Sequence, residues 1–71
     1  MNPDKQIDTL ERKVASLMFQ IKRGEVTPAE SKIGKYFNRL KPLDLPSYEN
    51  LLKEYKKILE EIKKPVDNVQ E

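Results

Sequence analysis

Ile7, Leu10, Val14, Leu17 and Ile21 recur at alternating steps of three and four residues, and Ala15 and Met18 widen the same stripe. That spacing gathers the side chains on one face of a helix, so the start of the chain is committed to an α-helix with one apolar side. Asn2 followed by Pro3 and Asp4 supplies a cap, a proline at the first helical position and an acid beside the positive end of the dipole. Gly24 supplies the stop. The pattern predicts a first helix over 3–23.

Two further segments carry the same signature. Thr27-Pro28-Ala29-Glu30 reads as a capping box with proline in the first turn, and Ile33, Tyr36, Phe37 and Leu40 form the apolar face behind it. Pro42 turns the preceding residue out of helical geometry, so a second helix is expected over 28–40. After the stiff connection Leu43-Asp44-Leu45-Pro46-Ser47, a third apolar stripe is made by Tyr48, Leu51, Leu52, Tyr55, Ile58, Leu59 and Ile62. It predicts a helix over 47–64, capped by either Ser47 or Asp44. This stripe is wider than a two-helix seam requires, so two neighbours could pack against it.

No strand alternation or repeat is visible. The expected fold is all-α, either a small three-helix bundle or a helical hairpin whose short middle helix packs partly on a second chain. A single domain is expected over 1–65, with 66–71 a disordered tail. The expected core is Ile7, Leu10, Val14, Leu17, Ile21, Ile33, Phe37, Leu40, Leu52, Tyr55, Leu59 and Ile62. A chain of 71 residues buries only about 60% of the surface its unfolded form exposes. Extra burial from a partner or a second copy is therefore plausible on size alone.

The junction Gly24-Glu25-Val26-Thr27-Pro28-Ala29-Glu30 resembles the G-x-[IV]-T-x-x-E turn of small helical-hairpin modules such as the SHOCT family. The resemblance implies a helical hairpin and a link to oligomerisation.

The chain contains neither histidine nor cysteine, which removes the commonest general base, metal ligand and activated nucleophile. Its only glycines, Gly24 and Gly34, build no phosphate-cradling loop. Asp4, Asp8 and Glu11 share a helix face, but their position near a helix start accounts for them without a cation. No enzymatic activity, cofactor or metal is expected. The lack of cysteine also removes the disulfide framework of small secreted domains. No stretch approaches the roughly 20 apolar residues that span a bilayer, and Met1-Asn2-Pro3-Asp4 lacks the pattern of a signal peptide. A cytoplasmic setting without membrane contact is the expectation.

Two surface features remain. The chain carries 14 basic and 12 acidic residues, yet the segment 22–41 holds six bases against two acids. Lys32, Lys35 and Arg39 are spaced to form a basic edge on the second helix, able to contact phosphates or an acidic protein. Phe19 lies off the apolar stripe of the first helix, on the side of Arg12 and Arg23. An exposed aromatic between arginines has the composition of an interface hot spot, whereas a turn folded over it would make it core. The functional expectation is a protein-interaction module that binds a protein partner or a second copy of itself through Phe19, Arg12, Arg23, Lys32, Lys35 and Arg39. Nucleic-acid binding by the 22–41 segment is the alternative.

Overall fold

The computed structural model describes residues 3–63. Four helices follow in order: α1 (Pro3–Lys22), α2 (Pro28–Ser31), α3 (Ile33–Leu40) and α4 (Leu45–Lys63). No strand occurs among the described residues, and none of their helices is long and apolar enough to cross a membrane. The tail at 66–71 lies outside the described residues.

α1 ends as its sequence predicts. Gly24 adopts φ 80°, and the amides of Gly24 and Glu25 donate back to the carbonyls of Ile21 and Gln20 at 3.0 and 2.9 Å. This left-handed cap satisfies carbonyls that the helix end leaves open. The capping box is also present in full: the Glu30 amide donates to Thr27 Oγ1, and the Thr27 amide donates to Glu30 Oε1, each at 3.1 Å.

The single helix expected over 28–40 is broken. Lys32 sits at φ 55°, ψ 34°, dividing it into a one-turn α2 and an eight-residue α3. Ser31 stabilises the break, because its hydroxyl donates to the Pro28 carbonyl at 2.7 Å and accepts from the Ile33 amide at 3.1 Å. A left-handed turn at a residue bearing Cβ costs about 1–2 kcal/mol. The break is compatible with complete burial of the next apolar face: Ile33, Phe37 and Leu40 are all inside. Lys32→Gly removes the Cβ strain at some cost in unfolded-chain entropy, so it is expected to stabilise the domain by about 0.5–1 kcal/mol. A higher urea midpoint at unchanged slope is the measurement that checks this.

α4 begins two residues before the expected start. Asp44 is its cap: Asp44 Oδ1 accepts from the Ser47 amide at 3.2 Å, and the Asp44 carbonyl accepts from the Tyr48 amide at 3.0 Å. Leu45 and Pro46 therefore belong to the first turn, where proline has no helical donor to lose. The connection from α3 shrinks to residues 41–44, tightened by bonds from the amides of Leu43 and Asp44 to the Leu40 carbonyl.

α1 packs against both α3 and α4, which also touch each other. Of the two expected layouts, the bundle within one chain is the one observed. Val14, Leu17, Met18 and Ile21 of α1 join Ile33 and Phe37 of α3 in a single buried cluster, and Leu10 and Leu40 are buried as well. Tyr48, Leu51, Leu52, Tyr55 and Ile58 of α4 pack against this cluster, yet no residue of α4 is itself buried. Four expected core residues are thus only half-buried, Ile7, Leu52, Tyr55 and Leu59, and a fifth, Ile62, is 47% exposed. Length explains the shortfall on α4: α3 spans eight residues, about 12 Å, against about 28 Å for α4. α3 cannot run alongside the whole of the stripe that α4 presents.

Phe37 ties the three main helices together. Its ring meets Tyr48 edge-on at 5.9 Å and Tyr55 at 5.5 Å, at an interplanar angle of 41°. Burial raises the Tyr55 phenol above its ordinary 10.0 by disfavouring the phenolate. The folded state therefore keeps this proton more tightly than the unfolded chain. Its contribution to stability is complete below about pH 10 and is lost as pH rises through the raised value. Alkaline melts should show that decline in the wild type, and Tyr55→Phe should reduce it.

Candidate interaction surface

The core stripe of α1 leaves the opposite side of the helix to solvent. At 100° per residue, Asp8, Arg12, Ala15 and Ser16 all fall within about 60° of the direction of Phe19, and Arg23, one residue past the helix end, continues the same face because its amide still donates to the Phe19 carbonyl at 3.0 Å. Each of these residues is exposed, and Phe19 itself is 58% exposed. No helix or turn among the described residues buries the ring, so the reading of Phe19 as core does not hold.

This face carries its own electrostatics. Arg12 Nε lies 3.1 Å from Asp8 Oδ2 across one turn, and Arg23 Nε lies 3.1 Å from Glu25 Oε2 beyond the helix end. The Arg23 guanidinium also stands over the Phe19 ring at 5.2 Å. Both ion pairs are solvated, so each contributes little to stability and can be exchanged for another partner at small cost. The cation over the ring covers part of an apolar surface without removing it from water. An open groove lined by Asp8, Arg12, Ala15, Ser47, Asn50 and Leu51 adjoins the face on the α4 side.

Arg12, Phe19 and Arg23 are thus brought together; of the expected basic edge, Lys35 and Arg39 lie one turn apart and exposed on α3, and Lys32 stands just before it at the helix break. Lys32 is the left-handed residue of that break. Lys35 follows it on the exposed side of α3, and Arg39 lies over an open depression lined by Lys5, Gln6, Thr9 and Leu10 of α1. Among the described residues, none of the three takes part in an ion pair. Two other lysines lie over aromatic rings, Lys13 at 5.8 Å from the Tyr36 centroid and Lys41 at 5.6 Å from that of Tyr48.

Comparison with protein-family models, curated proteins and solved structures finds no match. The likeness of the Gly24–Glu30 turn to a helical-hairpin module is therefore unsupported by any family match and is accounted for by the capping box and the glycine cap. The site has to be read from its chemistry. Among the described residues, no group of three or more acidic side chains is placed to hold a metal ion.

Asp8, Ala15 and Ser16 were not among the expected site residues, and Ala15, expected to widen the apolar stripe, is instead exposed on the outer face about 40° from Phe19, too far round the helix to reach the core. Their signal was present in the spacing: Asp8, Arg12 and Ser16 are four apart, as are Ala15, Phe19 and Arg23. Two rows of this kind are neighbouring ridges on one helix surface. Without knowing which side of α1 the rest of the chain covers, the rows could not be assigned to solvent.

Proposed function

We infer that the chain is a non-enzymatic protein-interaction module, acting in the cytoplasm, that docks through the outer face of α1. One observation carries this reading: Phe19, a large aromatic, is 58% exposed between two arginines on the face opposite the core. Aromatic and arginine side chains dominate binding energy where a partner excludes water from them. The incomplete burial of α4 supports the reading further, since a fold that leaves Leu45 and Ile62 each 47% exposed gains from additional burial.

The test compares wild type with Phe19→Ala in sedimentation equilibrium and in affinity capture. Because the ring contributes nothing to the buried core, the variant should keep its helical circular dichroism and melting point. Association should weaken about 10-fold or more, the loss expected of a hot spot. If neither self-association nor partner capture changes, the reading fails.

Nucleic-acid binding through Lys32, Lys35 and Arg39 is the second reading. The four-residue connection between α3 and α4 favours it, being as short as the turn of a helix-turn-helix. The seven acidic residues that follow position 41 count against it, since they would repel phosphate beside that edge. Charge reversal at Lys35 and Arg39 should abolish any salt-sensitive DNA binding and leave the Phe19 surface unaffected.

A further inference from the structure

The outer face of α1 is complementary to itself when reversed. Its first row reads Asp8, Arg12, Ser16, and its second row, taken backwards, reads Arg23, Phe19, Ala15. An acid is matched with a base, a guanidinium with an aromatic ring, and a small residue with a small residue. Each matched pair is symmetric about the midpoint between Ala15 and Ser16. All six residues are exposed.

We propose that this face binds a second copy of the chain, with the two α1 helices antiparallel about a two-fold axis passing between Ala15 and Ser16. This rests on the reading above and names its partner. In the dimer Asp8 pairs with the partner's Arg23, and Phe19 lies against the guanidinium of the partner's Arg12. Ala15 and Ser16 have side chains small enough for the helices to approach closely at the axis. Both rows drift the same way around the helix. Face to face across the two-fold axis the rows incline in opposite senses, so Arg12 sits nearly opposite the partner's Phe19, Asp8 meets the partner's Arg23 across the seam through the long guanidinium arm, and Ala15 and Ser16 lie at the axis beside their own copies. The Arg12 and Asp8 contacts are each made twice, as an isologous interface requires.

Charge selects this arrangement. A parallel pair would set Asp8 against Asp8 and Arg12 against Arg12, opposing like charges along the seam. The antiparallel pair opposes unlike ones. Its formation exchanges one contact for a like one, because Arg23 leaves its own Phe19 ring as the partner's Arg12 takes that place. The Asp8–Arg12 pair can persist beside the incoming Arg23, and the exposed Arg23–Glu25 pair is one that solvent already weakens. A single helix pair buries less than a standard interface, so dissociation constants from about 1 µM to about 1 mM are expected.

The deciding experiment is sedimentation equilibrium of the full chain from about 10 µM to about 1 mM, covering that range. Wild type should show a monomer–dimer equilibrium. Asp8→Arg and Arg23→Asp should each weaken it about 10-fold or more, and the double variant should recover affinity to within about threefold of wild type. Ala15→Arg, a helix-compatible change on the exposed side, should block close approach and give monomer whose melting curve matches that of wild type diluted to monomer. Lys35→Glu should leave the dimer intact. A wild type that stays monomeric throughout, or a double variant no tighter than the singles, overturns the proposal. If the wild type is monomeric while capture of another protein still depends on Phe19, the proposal fails and the interaction reading survives.

Discussion

Phe37→Ala should lower the stability of the domain by about 3–5 kcal/mol, the usual cost of deleting a large buried aromatic. The ring is only 4% exposed, belongs to the same buried cluster as Val14, Leu17, Met18 and Ile21, and contacts both Tyr48 and Tyr55. Its removal therefore damages the packing of α3 on α1 and loses both aromatic contacts of α3 with α4 in one step. Those two tyrosines cannot collapse into the space without α4 shifting, which keeps the cost near the upper end of the range. A chain of this size has a total stability of only a few kcal/mol to spare. Loss of cooperative thermal unfolding at 25 °C, with a reduced helical signal, is the expected readout. A variant that still melts cooperatively within a few degrees of wild type would show that Phe37 does not hold the bundle together.

The second large effect is a contrast between two aliphatic residues that share a sequence signature. Leu40 closes the apolar face of α3 and is 0% exposed, whereas Ile62 continues the stripe of α4 and is 47% exposed. Leu40→Ala should cost about 2–5 kcal/mol, combining the lost transfer energy with the cavity left behind. Ile62→Ala should cost less than about 1 kcal/mol, because its side chain already meets water and leaves no cavity. Urea unfolding at low protein concentration separates them by midpoint, with the slope held as the check on two-state behaviour. At high concentration the comparison acquires a further use. If the end of α4 is covered in an assembly, the penalty at Ile62 should grow with protein concentration while that at Leu40 stays fixed.

Features governed by neighbouring residues were legible in the sequence. The glycine stop at Gly24 and the reciprocal bonds of Thr27 and Glu30 depend on groups a few positions apart, and both appear as the residue types require. The buried face of α1 followed from its period alone, since Leu10, Val14, Leu17 and Ile21 recur at helical spacing and all four are inside. The angular position of Phe19 on α1 was equally fixed by arithmetic. What covers that direction was not, because the answer depends on the path of a turn and of helices joined to α1 through φ and ψ angles that no periodicity encodes.

The break at Lys32 belongs to the same class. Nothing in Glu30-Ser31-Lys32-Ile33 marks a left-handed residue, and a continuous helix satisfies every local preference there. The left-handed turn coexists with complete burial of Ile33, Phe37 and Leu40, and hydrophobic burial of about 1.5–3 kcal/mol per side chain outweighs about 1–2 kcal/mol of backbone strain. The choice of Asp44 over Ser47 as the cap of α4 likewise fell to the structure, since both carry a capping oxygen and only the direction of the chain after Leu40 selects one. Helical identity, caps and the apolar face of α1 are short-range properties, so they could be read from residues within about one or two turns of each other. The depth of burial along α4 and the exposure of Phe19 are set by which helix lies beside which, and only the packed bundle decides that.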